Sequence, residues 1–119
     1  MPTPVKQLRT DDYSICYEPD RQTVRCSGSL RLDGLDAYRP IVDLLDEASQ
    51  QGTTLTLDLS DLEFLNSSGI SMLSMFVVGL RKRGDCHLIL QGSNRILWQT
   101  RSLKNLQRLM PSIELNLSS

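Results

Sequence analysis

The sequence predicts a single α/β domain over residues 1–119, with a mainly parallel mixed sheet, an N-terminal antiparallel hairpin strand and about three helices. Short segments of strand-like apolar alternation are interleaved with segments in which apolar residues recur every three or four positions. Strands that alternate with helices typically form a parallel sheet with right-handed crossovers. The length and the 39% apolar content match one domain with a hydrophobic core.

The N-terminal part predicts a hairpin preceded by a loose segment. Residues 1–10 include two prolines and lack an apolar run, so we expect them to be a loose N-terminal segment. Tyr13–Tyr17 and Thr23–Cys26 have strand character, and Pro19 with Asp20 between them is typical of a turn. The two strands are therefore expected to pair antiparallel.

The remainder of the chain predicts three helices and three strands. Pro40 suits the first turn of the first helix, where a missing N–H group costs nothing. The fourth predicted strand is almost continuously apolar, which suits burial on both faces of a sheet. In chain order the elements are a helix at Leu35–Ala48, a strand at Thr54–Leu59, a helix at Ser68–Arg83, a strand at Cys86–Leu90, a helix at Ile96–Leu109 and a strand at Ile113–Leu117.

The composition argues against several classes of function. The formal net charge is −1, from 13 basic and 14 acidic residues, which provides no electrostatic attraction to nucleic acid or to an anionic membrane. Aromatic residues make up 5% of the chain, too few for base-stacking surfaces. The sequence predicts neither a signal peptide nor a membrane-spanning helix. We therefore expect a cytoplasmic protein that binds neither nucleic acid nor membranes.

Residue types that form metal centres and hydrolytic active sites are sparse. Cys16, Cys26 and Cys86 lie far apart in strand-like segments, so we interpret them as buried structural cysteines. His87 is the one histidine, and no zinc-ligand spacing is present. The G-x-G-x-x-G, P-loop and G-x-S-x-G motifs are also absent. We expect no metal, no cofactor and no enzymatic activity.

The segment Leu55–Leu73 contains the candidate site. In it, Asn66-Ser67-Ser68-Gly69 opens the second predicted helix after a predicted strand and a short connector. A helix N-terminus carries unpaired N–H groups and a partial positive charge, so it stabilises an anion. One interpretation of Ser67 and Ser68 is helix capping, which contributes roughly 1 kcal/mol. The other is that one of these serines carries a phosphate.

A family resemblance favours the second interpretation. The segment Asp58-Leu59-Ser60, followed by Phe64-Leu65-Asn66-Ser67-Ser68-Gly69-Ile70, resembles the signature of STAS domains. It is most similar to the signature of bacterial anti-sigma factor antagonists. The element order, Ser27-Gly28-Ser29-Leu30 before the first helix and the loop at Gly92 extend the resemblance over nearly the whole chain.

The resemblance implies a phosphorylation switch without a catalytic residue. In the family, the first serine of the motif is phosphorylated by a partner Ser/Thr kinase of the anti-sigma type. A PP2C-like phosphatase removes the phosphate, and the unphosphorylated antagonist binds the kinase or anti-sigma factor. By position in the motif, Ser67 corresponds to the phosphoacceptor. Ser68 and Gly69 correspond to the small neighbours that let a partner approach the backbone closely.

Asn66 departs from the family pattern, in which many members have aspartate before the phosphoacceptor. Asparagine has the same size and capping ability but no negative charge. Loss of the carboxylate would slow phosphorylation if that group orients the serine hydroxyl for a kinase. Conversely, a neutral Asn66 removes electrostatic repulsion of a phosphate on Ser67.

The second predicted helix is the expected partner-binding surface. Its apolar residues extend almost around its circumference, which indicates a helix that is covered on more than one side or has a partner. Methionine is common on adaptable binding surfaces, although each of these side chains singly could instead pack in the core. The surface residues are Ile70, Met72, Met75 and Phe76.

Two other functions are compatible with the sequence. The first is a constitutive STAS-like interaction or oligomerisation scaffold that works without phosphorylation and includes self-association. The second is a small-molecule binder that holds an anion or nucleotide at the N-terminus of the second helix. The absence of a nucleotide-binding motif disfavours the second function.

Overall fold

The computed structural model describes residues 6–118, in which helices cover one face of a six-stranded mixed sheet. The strands are β1 (Lys6–Arg9), β2 (Tyr13–Glu18), β3 (Thr23–Leu30), β4 (Thr54–Leu65), β5 (His87–Ser93) and β6 (Glu114–Ser118). The helices are α1 (Gly34–Ala37), α2 (Arg39–Ser49), α3 (Ser67–Arg83) and α4 (Leu97–Leu109), and a 3-10 turn spans Pro19–Arg21.

The strands follow one another in the sheet in the order in which they occur in the chain. The pairs β1–β2 and β2–β3 are antiparallel, whereas β3–β4, β4–β5 and β5–β6 are parallel. Because each parallel crossover moves one position in the same direction and such crossovers are right-handed, their helices lie on one face. This arrangement confirms the predicted α/β fold with an N-terminal antiparallel hairpin.

Burial alternates along the strands, as expected for a sheet with one covered face. In β4, Leu55 and Leu57 are buried, and Thr54 and Thr56, which alternate with them, are partly exposed. In β5, Leu88 and Leu90 are fully buried, whereas the neighbouring His87 is exposed. The predicted burial of this strand on both faces is therefore wrong, because no helix among residues 6–118 covers the second face.

The segment expected to be loose contains a strand. Residues 6–9 form β1, which pairs with β2 from Lys6 opposite Tyr17 to Arg9 opposite Ser14. Leu8 packs against the core, and the Lys6 ammonium pairs with the Glu47 carboxylate of α2. This strand has too few apolar residues for its pattern to be visible in the sequence. Residues 1–5 lie outside the described part of the chain.

The first predicted helix is divided into α1 and α2. Tyr38 lies between them, and Pro40 occupies the first turn of α2. Proline has no N–H group with which to continue the hydrogen bonds of a preceding helix, so α1 ends before it. The 0% exposure of Tyr38 shows that this junction packs against the core.

Strand β4 is longer than predicted and continues through the expected connector to Leu65. Its register with β3 shifts at two positions, which indicates bulges in this pairing. The carbonyl of Leu62 accepts hydrogen bonds from Gln99 Nε2 at 2.9 Å and from Trp98 Nε1 at 3.0 Å. Side chains of α4 therefore hold the last part of β4, and these distant partners are not visible in the local pattern.

We expect thiol reagents to distinguish the cysteines of the native protein. Cys26 is buried, and desolvation together with the nearby Asp58 carboxylate raises the pKa of its thiol to about 12. Thiolate is the reactive form, and it is nearly absent from such a group at pH 8. Cys16 is partly exposed. A chromogenic disulfide reagent should therefore label Cys16 in native buffer and Cys26 only after unfolding in denaturant.

A Cys16→Ser variant is the control for this assignment. It should lose the labelling seen in native buffer and keep the labelling seen in denaturant. Rapid labelling of native Cys16→Ser would contradict the burial of Cys26 and Cys86.

Candidate functional site

The candidate site lies where β4 ends and α3 begins, at the carboxyl edge of the parallel strands. Asn66 is the N-cap of α3, with extended backbone angles of φ −78° and ψ 176°. Its Oδ1 accepts a hydrogen bond from the Gly69 N–H at 3.0 Å. Asparagine is among the best N-cap residues because its short side chain reaches the first turn. The residue that caps α3 is therefore Asn66, and not Ser67 or Ser68.

The Asn66 amide also joins two other segments to this cap. Its Oδ1 accepts a second hydrogen bond, from the Tyr38 hydroxyl at 2.6 Å, and its Nδ2 donates to the Leu32 carbonyl at 2.8 Å. The Asn66 backbone N–H donates to the Leu30 carbonyl at 3.1 Å. An aspartate could accept the first bond but could not donate to Leu32. The hydrogen bond to Leu32 is therefore a structural reason for asparagine instead of aspartate at this position.

The Tyr38 hydroxyl stays protonated in this network. Burial raises the pKa of Tyr38, and a hydrogen bond from the Leu32 N–H, at 3.4 Å, lowers it in part. A neutral phenol can donate to Asn66 Oδ1 while it accepts from Leu32. The chain between β3 and α2 is therefore attached to the start of α3 across the physiological pH range.

Because Asn66 provides the cap, the hydroxyl of Ser67 is available. Ser67 is exposed and occupies the first helical position, and Ser68 after it is partly buried. Within residues 6–118, the Ser67 hydroxyl and the N–H groups of Ser67 and Ser68 have no hydrogen-bond partner. Free N–H groups in the first turn favour an anion, and the helix dipole adds to this preference.

Gly69 makes room for the chain's own side chains. A Cβ atom at this position would lie 2.2 Å from Leu65 Cδ1 and 2.8 Å from the Tyr38 hydroxyl oxygen. Gly69 is buried, so its small size brings α3 close to β4 and Tyr38. The resemblance implied that this glycine lets a partner approach the backbone, and the geometry instead gives it a role in internal packing.

The predicted partner-binding residues of α3 differ in exposure. Met75 is 61% exposed, Ile70 is partly buried, and Met72 and Phe76 are buried. Met72, Met75 and Phe76 nevertheless line one groove of about 440 Å³ between α3 and the α1–α2 segment. The other residues that line this groove are Leu35, Asp36, Arg39, Val42, Asp46 and Gly79.

Leu35, the first residue of the first predicted helix, belongs to this groove. It is 45% exposed because α1 is a single turn at the rim of the helix layer. The apolar spacing predicted one continuous helix from Leu35 to Ala48, whereas in the structure the helix breaks at Tyr38.

Other chemical centres are not assembled in the described residues. His87 pairs with Thr54 at the amino end of β4, whereas Ser67 follows the carboxyl end of that strand. With about 3.3 Å per strand residue, the two are on the order of 30 Å apart, too far for a nucleophile–base pair. Residues 6–118 contain no group of three or more potential metal ligands. No helix in this range is long and apolar enough to span a membrane.

We expect the Asn66 side chain to contribute strongly to stability. Asn66→Ala should lower the free energy of unfolding by roughly 2–3 kcal/mol, because it removes the cap and leaves the buried Tyr38 hydroxyl without its acceptor. Asn66→Asp should cost less, about 1 kcal/mol, because it loses only the bond to Leu32. Urea denaturation followed by circular dichroism measures both changes.

Asn105→Ala is the matched control for this measurement. Asn105 is an exposed asparagine on α4, so its replacement should change the free energy of unfolding by less than about 0.5 kcal/mol. Equal stability of Asn66→Ala and Asn105→Ala would show that the Asn66 hydrogen bonds do not stabilise the fold.

Comparisons with known proteins agree with this architecture. A family model described as "Mlab, STAS domain" matches residues 17–111. Among solved structures, apo-SiaC from Pseudomonas aeruginosa matches with a TM-score of 0.69 at 16% identity, covering 98% of this chain and 100% of that one. A second SiaC structure from the same organism has a TM-score of 0.68 at 13% identity, and the coverage is 98% of both chains.

A chain from the complex of the P. aeruginosa diguanylate cyclase SiaD with its activator SiaC is also similar. It matches with a TM-score of 0.71 at 15% identity, covering 95% of this chain and 98% of that one. The search of curated proteins gave no significant match. The structural likenesses establish the fold, and the family model covers most of the sequence, including the motif at Asn66 and Ser67. The chain therefore belongs to the STAS domain family.

Proposed function

We propose that this chain is a phosphorylation-controlled protein-interaction module that resembles an anti-sigma factor antagonist. In this proposal Ser67 is the phosphoacceptor, and the partner is a Ser/Thr kinase or anti-sigma-type protein. A PP2C-like phosphatase restores the unphosphorylated form. The protein acts by binding and has no catalytic residue or cofactor, and the setting is cytoplasmic.

The observation that carries the proposal is the exposed Ser67 hydroxyl beside a cap supplied by another residue. If Ser67 were the cap, phosphorylation would remove a stabilising hydrogen bond and loosen α3. Asn66 instead makes that bond to Gly69. The hydroxyl of Ser67 can therefore be modified without loss of a contact within the described residues.

The domain itself should tolerate the phosphate. Phosphorylation adds a charge of roughly −1.5 to −2 and three acceptor oxygens. The free N–H groups of Ser67 and Ser68 and the positive end of the α3 dipole favour this charge. The main effect of phosphorylation would then fall on a partner, whose surface must accommodate additional charge and bulk at the contact.

The groove beside α3 provides the contact surface in this proposal. Met75 is the exposed apolar side chain at its rim, while Met72 and Phe76 form its floor. Ser67 and Met75 are eight residues apart, about 2.2 helical turns, so they are separated by roughly 80° around α3, and both belong to its exposed side. A partner seated on Met75 would therefore extend to Ser67.

The structural neighbours support a role in binding. SiaC, which has the same fold, is described as the activator of the diguanylate cyclase with which it forms a complex. A chain of this fold can thus regulate another protein by contact. Because the identities are only 13–16%, the class of partner is inferred from the residues of this chain and not from SiaC.

We expect Ser67 substitutions to separate binding from folding. Ser67→Asp, with a negative charge at the first position of α3, should recover at least about tenfold less partner than Ser67→Ala when tagged forms are isolated from the native cells. Its unfolding midpoint should equal or slightly exceed that of the wild type, because a carboxylate near a helix N-terminus stabilises by about 0.3–1 kcal/mol. Quantitative mass spectrometry measures the recovered partner.

Phosphopeptide mapping across growth states is the companion measurement. Phosphate should be found on Ser67 in the wild type and in Ser68→Ala, and should disappear in Ser67→Ala. Equal partner recovery by Ser67→Ala and Ser67→Asp, with Ser67 unmodified in every growth state, would favour a constitutive STAS-like scaffold over the switch.

We expect Met75→Glu to abolish capture of the partner while the domain stays folded. The side chain is 61% exposed, so the free energy of unfolding should change by less than about 0.5 kcal/mol. Gln91→Glu introduces a charge on the exposed side of β5 and is the matched control. Normal partner recovery by Met75→Glu would exclude this groove as the contact surface.

A further inference from the structure

The helix layer carries opposite charges on its two sides. Helix α3 packs between the α1–α2 segment and α4. From residue 33 to residue 47 the chain contains five carboxylates, at positions 33, 36, 43, 46 and 47, and one basic residue, Arg39. Helix α4 contains three exposed basic residues, Arg101, Lys104 and Arg108, and no acidic residue. Two of the carboxylates are paired, Asp36 with Arg39 and Glu47 with Lys6 of β1. The carboxylates at positions 33, 43 and 46 remain, so one flank of α3 is acidic and the other is basic.

Met75 lies at the boundary between these two flanks. It lines the groove toward α2 together with Asp36 and Asp46, and it also lines a second groove toward α4 together with Lys82. Gly79, one turn further along α3, lines both grooves as well. The exposed thioether is thus the apolar centre of a surface with one acidic and one basic side.

We propose that this face binds a second copy of the chain, with a two-fold axis that runs parallel to α3. Rotation about such an axis exchanges the two flanks, so the acidic α1–α2 segment of each copy faces the basic α4 of the other. The two Met75 side chains meet at the centre. An isologous interface requires this kind of self-complementary surface.

The charges of the two flanks disfavour a face-to-face dimer with antiparallel α3 helices. A two-fold axis perpendicular to α3 within the interface would place α2 opposite α2 and α4 opposite α4. Like charges would then meet on both flanks, which disfavours association. The charge distribution therefore selects parallel α3 helices over antiparallel ones.

The size of the molecule permits a stable interface of this kind. The principal extents are 39 × 34 × 30 Å. A face of these dimensions can supply the roughly 800 Å² per partner that is typical of specific complexes. Lys82 would approach its own counterpart, and its long side chain can reach solvent there.

The arrangement brings each Ser67 near the Ser67 of the second copy. Residues on the exposed side of α3 lie opposite their own counterparts when the two-fold axis is parallel to that helix. Two phosphates at this place would repel each other. Phosphorylation would thus weaken the dimer, and dimerisation would cover the groove proposed for the partner. Only this regulatory consequence rests on the proposed function.

A charge-swap experiment on the purified full-length protein tests the dimer. Variant A carries Lys104→Glu and Arg108→Glu, so both flanks are acidic. Variant B carries Asp36→Lys in α1 and Asp46→Lys in α2, which makes the groove side of the α1–α2 segment basic. We expect each variant alone to dissociate at least about tenfold more readily than the wild type, because like charges meet. An equimolar mixture of A and B should recover wild-type affinity.

Sedimentation equilibrium gives the dissociation constants, and circular dichroism verifies that both variants are folded. The wild-type constant should rise with salt concentration, because exposed charge pairs are screened. A monomeric wild type at every accessible concentration would overturn the proposal, as would dimerisation of A or B as tight as that of the wild type.

The Ser67→Asp variant also tests whether the two α3 helices of the dimer are parallel. It should weaken the dimer, since the two carboxylates lie close together when the α3 helices are parallel. An unchanged dissociation constant would overturn the parallel arrangement. Neither measurement involves a kinase or a partner, so failure of the dimer is distinguishable from failure of the phosphorylation switch.

Discussion

The side-chain amide of Asn66 joins three segments of the chain that are distant in sequence. It caps α3 through Gly69, accepts from Tyr38 between α1 and α2, and donates to Leu32 after β3. Each of these bonds involves a partly buried group whose loss would leave a polar atom without a partner. The position of Ser67, and of the groove beside α3, depends on this one side chain.

The one-sided arrangement of the helices determines which surfaces are available. All three parallel crossovers step along the sheet in the same direction, so α3 lies in the centre of the helix layer. A central helix has neighbours on both sides and exposes a single narrow side, with Ser67 at its start and Met75 at its middle. The fold thereby places a modifiable hydroxyl and an apolar contact on the same surface.

The sequence predicted the fold class and most helices and strands, because their apolar periodicity is strong. The strands β2 and β3 and the helices α3 and α4 begin and end within a few residues of the predicted positions. The errors have physical causes outside the local pattern. Strand β1 depends on pairing with β2, and the last part of β4 depends on Gln99 and Trp98.

At the site, the motif identified the right turn, and the structure shows which residue caps the helix and what Gly69 contacts. Asn66 and not a serine caps the helix, and Gly69 accommodates Leu65 and Tyr38. Capping chemistry is shared by asparagine and serine, so the sequence offered three candidates in a row. Asn66 makes the bond because its backbone is extended and the helix begins at the next residue, Ser67.

By itself, the sequence determined the α/β class, the turn that contains Ser67 and the family resemblance, because these follow from the local order of residues. Only the tertiary structure decided that the Ser67 hydroxyl is free and that Met75 is exposed while Met72 and Phe76 are buried. It also decided that an acidic and a basic flank lie on opposite sides of α3. These features arise between segments far apart in the chain, and packing alone brings them together.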